Sequence, residues 1–143
     1  MGLKEKTHVV QVEGMTPHQI WQIWTDINNW HTWDSDIEWA KLTEPFRDGS
    51  RFYLKPKGGP RVRIVLMDVK HEESFTDLAK FPFAKMYSIH KLTKIGTTLK
   101  VLHTVRVEGL LSSLWWHLVG KNVAAGLEVQ SKKMIEKART IGV

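Results

Sequence analysis

The sequence contains no cysteine. Disulfides, thiolate metal ligands and a cysteine nucleophile are thereby excluded, and the lack agrees with a reducing compartment, so the expected location is the cytoplasm. Long apolar runs are also missing. The best of them, LLSSLWWHLVG, is about half of the roughly 20 residues a membrane span needs, so no stable membrane insertion is expected. The first residues, MGLKEKTHVVQVEG, lack the apolar stretch of a secretion signal and the Ser or Thr of a myristoylation site. Despite a formal charge of +6, the chain has no Arg-rich block, no zinc-finger spacing and no RNA-binding aromatic motif. Its lysines are scattered, and no nucleic-acid partner is expected. HExxH and comparable ligand spacings are missing too, so neither metal nor cofactor is expected.

What the chain does have is enough apolar content for a core. With 143 residues, 42% hydrophobic and 25% charged, residues 1–143 are the size of one domain. The only long helical pattern is the last, Leu111 to Arg139. There Trp116, Gly120, Val123, Leu127, Met134 and Ala138 recur three or four apart on one stripe, and Lys121, Glu128, Lys132 and Glu136 lie opposite. Gly120 and Gly126 each cost roughly 1 kcal/mol against alanine inside a helix. Their presence implies a close backbone approach, a bend, or room left for a ligand.

Earlier segments read as strand and turn. Thr7 to Val12 has β-branched content and ends at Glu13-Gly14. A helix follows with explicit punctuation: Thr16 as cap, Pro17 at the first position, Gln19 completing a capping box and Met15 stapled to Ile20. Asn28-Asn29 predicts a break and a second short helix carrying Trp30 and Trp33. Six more strands are predicted, at 37–42, 50–55, 62–69, 74–79, 84–93 and 98–108. Their short connections, Glu44-Pro45, Asp48-Gly49, Gly58-Gly59-Pro60 and Gly96, suit antiparallel hairpins. An α+β domain is therefore expected: about seven antiparallel strands in a curved sheet wrapped around a long C-terminal helix, with two short helices between strands 1 and 2.

Register then predicts an inner surface. A loop at Lys57-Gly58-Gly59 pairs Leu54 with Val62 and Phe52 with Ile64, whereas a shorter loop would oppose Leu54 and Arg63. Gly96-Thr97 suits a two-residue turn with positive φ at its first position. That turn sets Leu92 opposite Val101, His90 opposite His103, Ser88 opposite Val105 and Met86 opposite Val107, all on one face. Opposed residues have Cβ atoms about 4.5–5.5 Å apart. His90 and His103 should nearly touch, and they are the candidate chemical groups: they could bind a ligand oxygen, shuttle a proton, share a metal, or simply satisfy each other and Ser88 or Thr104. Trp39 is expected to face inward with Ile37. Asp34, Asp36 and Glu38 read as a solvated edge, and Arg61 and Arg63 as exposed.

This order of elements resembles the helix-grip fold of the START-like (SRPBCC) superfamily, within it the polyketide cyclase/dehydrase and lipid-transport group. The resemblance is carried by IWQIWTDINNWHTWDSDIEWAKL, by Gly49-Ser50-Arg51-Phe52, by Ser88-Ile89-His90 and by GTTLKVLHTVRVEG. It implies an internal apolar pocket between sheet and helix that receives lipids, polyketides or other hydrophobic small molecules. The expected wall is Trp39, Phe52, Leu54, Ile64, Met86, His90, Leu92, Val101, His103, Trp116, Val123 and Leu127. The resemblance also raises an alternative, a cyclase, aromatase or dehydratase with a cavity histidine as general acid/base.

Overall fold

The structure, a computed structural model, describes residues 2–141. Seven antiparallel strands form one sheet in the order β1-β7-β6-β5-β4-β3-β2. In chain order these are β1 (Gly2–Glu13), β2 (Ile37–Leu42), β3 (Arg51–Pro56), β4 (Val62–Lys70), β5 (Ser74–Phe81), β6 (Ala84–Ile95) and β7 (Thr98–Gly109). Every hairpin is local; only β1 travels, to the far edge beside β7. The first strand thus begins five residues earlier than its β-branched core suggested, because pairing with the whole of β7 extends it.

Between β1 and β2 the chain folds α1 (Pro17–Thr25) and a 3-10 turn (Ile27–Thr32). The capping box is formed: the Gln19 amide donates to Thr16 Oγ1 at 3.4 Å, and the Thr16 amide donates to Gln19 Oε1 at 2.9 Å. The Gln19 side-chain amide also donates to the Ile141 carbonyl at 2.9 Å. One residue therefore starts α1 and ties it to the C-terminal end of the molecule.

The C-terminal rod is interrupted. It runs as α2 (Ser112–Trp115), a π-helical turn (Trp116–Gly120), α3 (Lys121–Ala125) and α4 (Leu127–Ala138). Both predicted glycines explain themselves. A Cβ on Gly120 would lie 2.7 Å from the Trp116 ring and 2.9 Å from Val107, so the bare backbone is what lets the rod approach the sheet. At Gly126, between α3 and α4, a Cβ would lie 2.9 Å from Asp36 Oδ2.

The concave face carries the core, with Phe52, Leu66, Phe75, Leu99, Val101, Val105 and Val107 among its fully buried residues. Both hairpin registers are as expected: Phe52 opposes Ile64, Leu54 opposes Val62, and His90 opposes His103. Gly96 has φ of 60°. Trp39 is a correction. The β2–β3 pairing slips between Ile37 and Trp39, a bulge that inserts one residue and inverts the alternation after it. Ile37 and Ala40 turn inward, while Trp39 lies 36% exposed on the convex face.

Candidate functional site

Sheet rows define the concave surface residue by residue. One row runs Phe52, Ile64, Ala79, Met86, Val107; the next runs Leu66, Asp77, Ser88, Val105; a third runs Phe75, His90, His103, His8; a fourth runs Leu92, Val101, Val10. Two polar rows therefore lie side by side between apolar ones. Leu54 sits beside Phe52 on this face, and from the rod Trp116 is half-buried near Gly120 and Val107, Val123 is half-buried and Leu127 is buried.

His90 and His103 meet as the register required, ring centroids 4.1 Å apart. They do not satisfy each other. Buried Nδ1 of His90, Nε2 of His103 and Nδ1 of His8 have no hydrogen-bond partner. Thr104 is engaged elsewhere, its hydroxyl 2.8 Å from that of Thr7. Burial, and then repulsion from His103, holds the His90 pKa well below the usual imidazole range. Burial, and then repulsion from His8, lowers that of His103 to about 4. Both rings are neutral at pH 7, each with one donor and one acceptor nitrogen.

The space over His90 is filled with aromatic side chains. Phe75 stacks on its ring at 4.1 Å and Trp24 meets it edge-on at 5.3 Å. The expected hollow is thus closed by aromatics at this point of the sheet. Two surface clefts lie elsewhere, and neither is lined by a histidine. One, of about 370 Å³, opens on the convex side among Lys41, Thr43, Glu44, Arg51, Tyr53 and Arg63. The other, of about 200 Å³, opens between the loop before β2 and α4, at Trp33, Asp34, Asp36, Gly126 and Gln130.

Two acids carry more than the sequence suggested. Asp77 is buried on the concave face, opposite Ser88. Burial raises its carboxyl to about 7, against a smaller lowering by the Ser88 hydroxyl. The clue was present in SFTDLAKF: Phe75, Asp77 and Ala79 share the inward phase of the strand, so an acid stands in an apolar alternation. His8 was legible in the same way, alternating with Val10 and Val12. Asp34 is a correction to the solvated-edge reading. It is buried, accepts from the Asp36 amide at 3.0 Å and from Gln130 Nε2 at 2.7 Å, and pins the loop before β2 to α4. Its desolvation raises its pKa. Asp36 and Glu38 are exposed as expected, as are Arg61 and Arg63, with Arg61 lying 4.7 Å over the Tyr53 ring.

The imidazoles of His8, His103 and His90 are strung along the hydrogen-bonding direction of the sheet. Among the described residues no three His, Asp or Glu side chains are gathered as a metal site. The chemistry available is therefore hydrogen bonding by the neutral imidazoles of His90 and His103, plus one carboxyl able to hold or release a proton near neutrality.

A curved antiparallel sheet gripping a C-terminal rod, with polar side chains set into an apolar concave face, defines the START-like, helix-grip class of fold. Solved structures carry that assignment. A START superfamily protein from Mycobacterium smegmatis is similar with a TM-score of 0.71 at 14% identity, covering 96% of this chain and 99% of its own. Norcoclaurine synthase from Thalictrum flavum, in complex with dopamine and hydroxybenzaldehyde, gives 0.75 at 9% identity, covering 99% and 90%. Zhui aromatase/cyclase from Streptomyces sp. R1128 gives 0.73 at 10%, covering 96% and 94%. No family model and no curated protein matches the sequence. The likeness is one of fold, and a fold of this kind hosts several activities.

Proposed function

We propose that the protein binds one apolar small molecule, of lipid or polyketide character, between the concave sheet and the C-terminal rod. The observation that carries this reading is the pair of polar rows inside an apolar wall. Phe52, Leu54, Ile64, Met86, Leu92 and Val101 offer apolar contact, while His90, His103 and His8 leave three buried ring nitrogens unpartnered. Leaving such atoms unpaired costs about 1–3 kcal/mol each, and a ligand hydroxyl or carbonyl would recover part of it. Entry requires Trp24 and Phe75 to yield or the rod to lift. The π-helical turn at Trp116–Gly120 and the junction at Gly126 are the places where the rod can bend.

Native mass spectrometry of protein purified from cells tests the proposal by revealing a co-purified apolar ligand. In a thermal panel, a ligand at 100 times its Kd should stabilise by about 2.7 kcal/mol. His103→Gln should weaken ligands bearing a polar end more than wholly apolar ones. Failure of every apolar ligand to protect the fold would overturn the reading.

A second reading is favoured by Asp77. A buried carboxyl that titrates near 7, beside neutral imidazoles, is matched to proton transfer, whereas a histidine held near 4 is a weak base. On this reading the protein is an enzyme of the aromatase, cyclase or dehydratase kind, with Asp77 as general acid/base and the histidines orienting substrate oxygens. Asp77→Asn should then abolish turnover of a poly-ketone or hydroxylated ring while leaving its binding intact. Equal loss of both would return Asp77 to a binding role.

A further inference from the structure

At the end of the sheet remote from α1, the β5–β6 hairpin and the start of the C-terminal rod are locked together. The Leu111 amide donates to the Phe83 carbonyl at 3.0 Å, and Trp115 Nε1 donates to the Pro82 carbonyl at 2.9 Å. The Trp115 ring stacks on Phe81 at 4.6 Å. Gly109, with φ of 118°, passes so close that a Cβ there would lie 2.8 Å from the Phe83 oxygen.

What this scaffold holds up is apolar. Phe83 is 71% and Leu110 69% exposed, and Leu114 and Leu118 continue the same side of the rod about half exposed. Leu110 sits in the turn that leads from β7 into the rod, Leu114 lies in α2 and Leu118 in the π-helical turn, and all three face water. Large aliphatic side chains gathered at one end, rather than scattered singly, mark an interaction surface. The hairpin tip strengthens the point. Pro82 precedes Phe83, whose φ of 58° belongs to the second corner of a turn that favours glycine. A bulky aromatic holds a position where glycine would fold more easily, and it is displayed to solvent.

The surrounding charge is predominantly basic. Lys80 and Lys85 face each other across the hairpin just behind Phe83, and Lys121 follows Leu118. No Asp or Glu occurs between Gly109 and Leu127. The nearest acids are Glu108, opposite Lys85, and Glu5, which is paired with Arg106 at 2.6 Å.

We infer that this end of the molecule docks reversibly onto an anionic lipid bilayer, with Phe83, Leu110, Leu114 and Leu118 entering the interfacial layer and Lys80, Lys85 and Lys121 against the lipid phosphates. Among the described residues no helix is long and apolar enough to cross a membrane, so the contact is peripheral. Aromatic and aliphatic insertion supplies the apolar part, and each lysine adds attraction that is screened by salt. The surface is remote from the histidine row and stands independently of the ligand-binding reading.

Vesicle flotation tests it, comparing phosphatidylcholine vesicles with vesicles that also carry phosphatidylglycerol. The protein should float with the anionic vesicles, and less so as salt rises. Phe83→Gly suits the turn and should keep the fold; it and the double variant Leu114→Ser/Leu118→Ser should each lower vesicle affinity by about tenfold or more. Lys80→Glu/Lys85→Glu should remove the preference for anionic lipid. Unchanged melting temperatures and near-UV circular dichroism would show that the fold and the interior are intact. Equal flotation of wild type and the apolar variants overturns the inference. So does failure of the wild type to float, and sedimentation showing self-association through the same residues would then assign the surface to a second copy of the chain.

Discussion

Replacing Asp77 by Asn should change the pH dependence of stability in a way that only a buried, proton-bearing carboxyl can produce. In the folded protein the group titrates at about 7, against 3.8 for its ordinary value. Below pH 4 both folded and unfolded chains keep the proton, and it contributes nothing to the difference. From 4 to 7 the unfolded chain releases it while the folded one retains it, so rising pH favours unfolding. Above 7 the folded state holds a desolvated carboxylate and bears the whole cost. At about 1.4 kcal/mol per pH unit the cost reaches roughly 4 kcal/mol. Asn keeps the shape and a partner for Ser88 but has no proton to lose. Urea unfolding followed by tryptophan fluorescence from pH 4 to 8.5 should show the variant gaining on wild type as pH rises, with the difference levelling off above about 7.5. A wild-type-minus-variant difference that is flat with pH would refute a neutral, buried Asp77. A difference growing towards acid would mean that the carboxyl is instead held ionised.

His103→Gln should act at the opposite end of the scale. The His103 pKa is lowered to about 4, so its contribution to stability is complete above about 6.5 and is lost as pH falls towards 4, by roughly 3 kcal/mol; the variant should lose less stability on acidification in the same titration. Gly120→Ala should destabilise by more than the small gain in helix propensity, since its Cβ would meet both Trp116 and Val107; a raised melting temperature would show that the rod can shift without cost. Asp34→Ala should cost about 1–3 kcal/mol by stranding Gln130 and the Asp36 amide, read by chemical denaturation. Trp39→Ala should cost well under the 3–5 kcal/mol expected of a buried aromatic such as Phe52, because the indole sits on the convex surface.

The parts of this protein legible in the sequence were those governed by local rules. The cap at Thr16 is a matter of neighbouring residues, and Gly96 fixes the last hairpin, which in turn dictates that His90 meets His103. What escaped depends on long-range packing. Trp39 turns outward because a bulge inverts the strand's alternation, and no residue type in Ile37 to Leu42 announces a bulge. Asp34 is buried by Gln130, a residue 96 positions away, so its acid-rich neighbourhood gave the wrong impression. The inward phase of His8 was readable from its alternation with Val10 and Val12, but its place beside His103 depends on β1 crossing to the far edge of the sheet. The inward phase of Asp77 was readable too, from Phe75 and Ala79, whereas its complete burial, and with it the raised pKa, depends on tertiary packing. The aromatics over His90 come from α1 and from β5, and only tertiary packing brings them together there.

The π-helical turn at Trp116–Gly120 has a rotational consequence. Each helical residue advances the azimuth by about 100°. A wider turn therefore resets the angular phase, so that side chains before it and after it need not share one side of the cylinder. Leu114 and Leu118 look away from the sheet, whereas Leu127, Met134 and Ala138 look toward it. Removing a single residue from this turn would swing the first part of the cylinder by about a quarter of a revolution and carry those leucines off their present heading.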